Sequence, residues 1–224
     1  MLINADFNLR AVVRAEQYEW VPSPQPGVER VMLDRIGAEK ARATSLVRYA
    51  PGSSFPAHQH PGGEEILVLK GEFMEDGRPY PAGWYLRSPP GSSHVPSSPN
   101  GATLFVKLWQ MTPEETQAIR VDTNDPKHWR DHGGRAICTL LDRADERVCL
   151  QRISPHAALF EHPLRNVEIL VLAGFLIEDG LQYNAGSWLR FPSSEQAAVI
   201  TGDEGATIYL RSGRLIGLPP ETVS

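Results

Sequence analysis

The chain has 224 residues with a formal net charge of -5 at pH 7 and a sequence pI near 5.8. That balance leaves no basic footprint for nucleic acid or anionic lipid, so neither nucleic acid nor membrane is an expected partner. Hydrophobic content of 41% against 22% charged residues is globular and excludes a disordered chain, and 19 Gly and 19 Pro between short apolar runs mark frequent turns between short strands.

In chain order, the opening MLINADFNLR places Asp6 and Arg10 too early for a signal peptide. The longest apolar run, Ile169 to Ile177, is too short to span a bilayer, so a cytoplasmic protein is expected. Ser45-Leu-Val-Arg-Tyr49 and Glu65-Ile-Leu-Val-Leu69 are strand-like runs ended by Pro-Gly or Lys-Gly. Met74-Glu-Asp-Gly77 carries an Asp-Gly dipeptide suited to a type I′ hairpin, whose central residues both need φ > 0. Pro81-Ala-Gly83 punctuates the next strand, and Thr103-Leu-Phe-Val-Lys-Leu-Trp109 closes the segment. Thr112-Pro-Glu-Glu reads as a capped helix start with Pro at the first helical position and marks a linker.

The segment then repeats. Glu65-Ile-Leu-Val-Leu-Lys-Gly71 aligns with Glu168-Ile-Leu-Val-Leu-Ala-Gly174 at an offset of 103, that is 168 minus 65. The same offset pairs Glu75-Asp-Gly77 with Glu178-Asp-Gly180, Tyr80 with Tyr183, Leu86-Arg87 with Leu189-Arg190, and Pro89 with Pro192. Further back, Leu33-Asp-Arg35 matches Leu141-Asp-Arg143 at an offset of 108. Two copies of one module follow, with residues 1–115 as a metal-binding barrel and 116–224 as a degenerate, metal-free one; the fold class is all-β, as two tandem barrels. Cys138 and Cys149 form no Cys-x-x-Cys pair and read as reduced thiols packed as small hydrophobes, with opposition across a hairpin as the alternative.

Candidate metal ligands lie in the first module: Gly52-x5-His58-x-His60-x3-Glu64-x6-Gly71, followed by Gly83-x5-Pro89-x-Gly91-x2-His94. Alternate strand residues share a face, so His58 and His60 point the same way. Pro61-Gly-Gly63 lets the chain turn so that Glu64 faces the same interior, and His94 arrives from another strand. Three imidazoles and one carboxylate suit Zn, Fe, Mn, Ni, Co or Cu far better than Ca or Mg. Glu65 falls on the opposite face and reads as structural, because Glu168 keeps its place in a copy that has lost the ligands. There, His58, His60, Glu64 and His94 become Glu161, Pro163, Val167 and Ala197. His156 and His162 lie nearby, with His162 facing away from the cavity. Arg87 and Arg190, retained in both copies, read as structural ion-pair partners. Phe55, Tyr49, Phe73, Tyr85, Phe105 and Lys107 are candidates to line the cavity.

These two stretches resemble the two sequence motifs of the cupin superfamily. The one departure is Ser98, where the second motif usually ends in Asn. The fuller run from His58 to Gly71, with Trp84-Tyr-Leu-Arg-Ser-Pro-Pro-Gly-Ser-Ser-His94, resembles the cupin domain of ChrR-type anti-sigma factors over residues 45–110, and more weakly over 136–210. The resemblance implies jelly-roll barrels (double-stranded β-helices) and one divalent metal on His58, His60, Glu64 and His94, with zinc first and Fe, Mn or Ni as alternatives. It also implies a small-molecule or oxidative-stress sensing role. Family members grip a sigma factor through a helical domain with a His-x3-Cys-x2-Cys zinc motif; that motif is absent here, so sigma-factor binding is not carried over. Related stand-alone cupins include dioxygenases that cleave dicarbonyl or hydroxyketone substrates, where Fe(II) with these four ligands leaves up to two octahedral positions for substrate and O₂. A small molecule in the first barrel and a homodimer are the partners this reading allows.

Overall fold

The computed structural model describes residues 1–214, apart from 39, 161–164, 194 and 196. The chain is all-β, with no α-helix among the described residues; the short 3₁₀ turns Ala15–Gln17 and Pro126–His128 are its helical pieces. Among the described residues no helix is long and apolar enough to cross a membrane. Two compact units form, one from residues 1–5 and 19–124, the other from residues 6–18 and 125–214.

In the first unit the antiparallel order runs through Val28–Gly37, Ala41–Tyr49, Ala102–Leu108, Glu64–Glu75, Trp84–Ser88 and Ile119–Asp122. A separate two-stranded ladder pairs His58–His60 with Ser92–His94. In the second unit the equivalent order is Arg135–Asp142, Glu146–Ile153, Ile200–Gly213, Val167–Glu178, Trp188–Phe191 and Ala11–Val13. The long strands Glu64–Glu75 and Val167–Glu178 begin at the offset of 103 read from the sequence.

Several local features explain why the repeat folds this way. The hairpin positions Asp76 and Gly77 have φ of 51° and 80°, and Asp179 and Gly180 have 48° and 76°, as type I′ turns require. Gly71 and Gly174 adopt φ of 71° and 69°, and a Cβ there would lie 2.1 and 2.2 Å from the carbonyl oxygens of Gly101 and Gly205. No side chain fits so close to backbone, which explains glycine at both places.

Each barrel has its own apolar interior. Val28, Ile66, Val68, Phe73, Leu86, Leu104 and Val106 gather in the first, and Val167, Ile169, Leu189, Phe191, Ile208 and Leu210 in the second. The opposite strand faces carry buried charge. Arg87 reaches Glu65 at 2.7 Å and Glu115 at 3.0 Å, while Arg42 reaches Asp34 at 2.8 Å. In the second unit the Trp188 indole N–H donates to Glu168 at 2.9 Å, and Arg211 pairs with Glu146 at 2.7 Å. Arg190 lies opposite Glu168 in register and stacks over Phe7 at 4.1 Å. Arg87 is thus the ion-pair partner its recurrence implied.

Two expectations need correction. Thr112-Pro-Glu-Glu does not start a helix. It forms one turn in which Glu115 N–H donates to Thr112 O, and the Glu115 carboxylate both accepts from Thr112 N–H and binds Arg87. The Glu115 carboxylate keeps the capping contact to Thr112 N–H and also holds the Arg87 guanidinium, but no helix continues beyond this turn. Cys138 and Cys149 do not oppose each other: Cys138 pairs in register with Leu150 and Cys149 with Thr139, which puts them on opposite faces. Both are free, buried thiols.

Candidate metal centre

The three histidines converge because the short ladder places them in register. His94 lies directly opposite His58, and Ser92 opposite His60, so alternation sends all three rings to one face. Their ligand nitrogens lie within 4.8 Å of one another and could hold a metal ion; no second such group occurs among the described residues. Ring centroids are 4.7 to 5.0 Å apart in edge-on arrangement. Glu64 follows the turn, with Oε2 3.4 Å from His60 Nε2 and 3.5 Å from His94 Nε2. Tight glycines make the turn: a Cβ on Gly62 would sit 2.5 Å from the Trp109 ring, and Gly63 holds φ 75°.

The protonation pattern fits a cation. His94 Nδ1 faces the Glu75 carboxylate at 3.0 Å, and His58 Nδ1 faces the Pro56 carbonyl at 3.0 Å. Both partners only accept, so both Nδ1 atoms carry the proton and each Nε2 keeps its lone pair for the interior. His60 Nε2 and His94 Nε2 are 2.9 Å apart. Around an ion at about 2.1 Å, neighbouring ligand atoms lie about 3.0 Å apart in an octahedron and about 3.4 Å in a tetrahedron, which matches these spacings. Glu64 Oε2 is buried and makes no hydrogen bond, a costly state for a carboxylate that a cation would relieve.

Electrostatics of the ion-free protein carry the same signature. Burial, followed by His94 and His58, lowers the His60 pKa to about 3. Burial also raises Glu64 to about 7, against the pull of His94. For His94 burial acts downward, but the hydrogen bond to Glu75 and the nearby carboxylates outweigh it and the net shift is upward. Glu75 is pushed up by burial yet held below the usual carboxylate range by His94 and Arg120, whose Nη2 donates to it at 2.7 Å.

Beside the histidines lies a cavity of about 540 Å³ whose walls include Val47, Tyr49, Phe55, Phe73, Leu104 and Val106 together with His58, His60, Glu64 and His94. Burial, then Glu64, pushes the Tyr49 hydroxyl well above its ordinary pKa, so it stays protonated. Of the expected lining residues, Tyr49, Phe55 and Phe73 are there. Tyr85, Phe105 and Lys107 are not. On the Ala102–Leu108 strand Leu104, Val106 and Leu108 face the cavity, so alternation turns Phe105 and Lys107 outward, where Lys107 reaches Thr44 at 3.2 Å. Glu75 and Arg120, which position His94, were not singled out from the sequence. Glu75 was visible only as part of a turn. Ser98, the departure from the motif, donates to Glu72 O at 2.7 Å and is no ligand.

Glu161, Pro163 and His162 lie outside the described residues. Val167, at the place of Glu64, is buried in the apolar cluster, with Ala197 packed against it. His156 lies on the surface near Asp203, at 3.7 Å.

Residues 8–112 match the family model of the ChrR cupin-like domain. The first module therefore carries a ChrR cupin-like domain. The fold of the chain is shared with a dioxygenase candidate from Nostoc punctiforme, with TM-score 0.76, 16% identity, and coverage of 92% of this chain and 83% of that one. The bacterial pirin YhhW from Escherichia coli, solved with nickel(II), gives TM-score 0.69 and 16% identity over 93% of this chain and 100% of the pirin. A cupin 2 conserved barrel domain protein from Leptotrichia buccalis gives TM-score 0.59 and 12% identity, covering 87% and 92%. At such identities the likeness is one of fold alone. No curated protein matches the chain.

Proposed function

We propose that the first module is a metal-centred small-molecule binding site, with one divalent transition ion on His58, His60, Glu64 and His94 that meets its organic ligand in the adjoining cavity. The observation that carries this reading is the buried, hydrogen-bond-free Glu64 Oε2 beside two imidazole Nε2 atoms. When bound, such an ion supplies a Lewis acid and a template that orients the ligand. The chain's own residues do the rest. Glu75 and the Pro56 carbonyl hold two imidazoles in the donor tautomer, and the apolar walls exclude water. Zinc is the first candidate, with Fe, Mn or Ni as alternatives; the pirin neighbour holds nickel(II). The second module, with Val167 in place of Glu64, is proposed as metal-free.

The ChrR cupin-like match supports a sensing role for the bound small molecule or an oxidant. A second reading, oxygen-dependent cleavage of a dicarbonyl or hydroxyketone, is favoured by the cavity at the site and by the Nostoc dioxygenase candidate. Elemental analysis of protein from its native host, then oxygen uptake by Fe(II)-loaded protein with β-diketones and hydroxyketones, separates the two. Uptake matched by substrate loss establishes the enzyme. No uptake, with a ligand-dependent change in oligomeric state, establishes the sensor. Protein that retains no metal after loading overturns the proposal.

A further inference from the structure

Five rings form a closed circuit in the wall of the first cavity. His58 meets Phe55 with centroids 5.7 Å apart, Phe55 meets Tyr49 at 5.7 Å, and Tyr49 meets Phe73 at 6.1 Å. Phe73 then meets His94 at 6.2 Å, and His94 returns to His58 at 5.0 Å. All five line the cavity. Such tilted and edge-on contacts favour one placement of each ring. Tyr49 is thus held between two phenyl rings, each of which packs against a histidine of the candidate centre.

Tyr49 alone brings a hydroxyl to this circuit. The residue is 7% exposed, and among the described residues its hydroxyl has no hydrogen-bond partner. A tyrosine so buried ordinarily finds one, because an unpaired polar group away from water is costly. Burial, then the charge of Glu64, keeps the hydroxyl protonated. Tyr49 therefore stands in the cavity wall as a hydrogen-bond donor, close enough to Glu64 to feel its charge.

The second module shows which part of Tyr49 the fold itself needs. Tyr49 pairs with Ala102, which faces Gly71 on its other side. Ile153 pairs with Ala206, which faces Gly174 in the same way. Ladder position thus puts Ile153 at the place of Tyr49, where it is 4% exposed within the apolar cluster. A buried apolar body is common to both copies. The hydroxyl belongs only to the copy with the three clustered histidines.

From this we infer that Tyr49 determines which molecules the first cavity holds, its hydroxyl donating a hydrogen bond to an oxygen of the bound ligand. The ligand it selects is an apolar organic molecule whose oxygen-bearing end faces the histidines, with its remaining body along Val47, Leu104 and Val106. About 540 Å³ falls within the range of small-molecule sites. A placed donor discriminates because a ligand without an acceptor leaves it unpaired. The inference rests on the metal reading of the same centre for where the oxygen-bearing end lies.

Calorimetric titration of nickel(II)-loaded protein with tropolone, an apolar ring carrying two oxygens, tests it. Tropolone is expected to bind Tyr49→Phe about tenfold more weakly than wild type. A second probe, 1-methylimidazole, reaches the metal through nitrogen and then has no acceptor left, so both proteins should bind it within about twofold. Melting temperature should be the same in both, because the hydroxyl has no described partner to lose. A merely structural role would lower the melting temperature and both affinities together, and that result overturns the inference. Equal binding of tropolone to the two proteins, or no binding to wild type at millimolar concentration, overturns it as well. Nickel content is measured on the same samples. Full nickel with no tropolone difference sinks this inference alone, and a tropolone difference without nickel sinks the metal reading alone.

Discussion

Glu64 and Val167 start the same strand of the same module, and they sit in opposite worlds. Glu64 is a buried carboxylate without a hydrogen bond, facing two imidazoles. Val167 is a methyl-bearing wall among Leu189, Phe191 and Leu210. Around them the framework hardly changes: both units keep the hairpin, the glycine under the crossing backbone, and a buried glutamate facing an arginine across the strands. Elsewhere the interiors diverge. Ala57 and Ser88 in the first module become Phe160 and Phe191 in the second at the offset of 103, and these two rings pack edge-on at 6.0 Å. Folding this barrel and building its polar centre thus use different residues, and the second copy spends the same space on apolar packing.

The largest effect should come from removing a ligand. His60→Ala is expected to take metal content from about one ion per chain to none, because imidazole donors form the site; elemental analysis checks it, and unchanged occupancy would reject the assignment. Next, Val167→Glu places a carboxylate in the apolar cluster without the histidines, and should destabilise the chain by about 3 kcal/mol or more in denaturant titration. A neutral outcome there would mean the second barrel tolerates charge as the first does. A smaller step is Glu75→Gln, which weakens the hold on His94 and should lower metal affinity by about 10- to 100-fold in competition with a chelator. Its counterpart Glu178→Gln should leave that affinity alone, because Glu178 binds Arg10 and Tyr183 instead.

The smallest effect separates ion-free proteins by pH. Burial pushes the Glu64 carboxyl up to about 7, above its ordinary value of 4.5, so its stabilising contribution is fully present below the unfolded pKa. That contribution is lost as pH rises through the folded pKa. Melting of ion-free wild type should therefore fall relative to Glu64→Gln between about pH 4.5 and 7, and parallel curves would show that Glu64 is not ionising in isolation.

Much of this was legible in the sequence because it depends on short-range rules. Period-two alternation sends His58 and His60 to one face and Glu65 to the other, Asp-Gly sets the hairpin turns, and the offset of 103 makes one module the control for the other. Other features rest on contacts that no local pattern encodes. Glu75 reads as a turn residue until the hairpin swings it against His94 and Arg120. Thr112-Pro-Glu-Glu reads as a helix start, yet its capping contact closes a single turn whose Glu115 also holds Arg87 from another strand. Phe105 and Lys107 read as cavity residues until the register of their strand turns them away.

Strand partnership is the deepest such case. Ala11–Val13 and Ile119–Asp122 occupy equivalent places in the two repeats, 108 residues apart. Yet the first pairs with Trp188–Phe191 and the second with Trp84–Ser88. The sequence by itself determined the module, its repetition and the copy that carries the three clustered histidines, because alternation and turn chemistry act within a few residues. Which strand completes which barrel, only the tertiary structure decided. Pairing and register are settled by the burial of a whole sheet face, not by the residues of one strand.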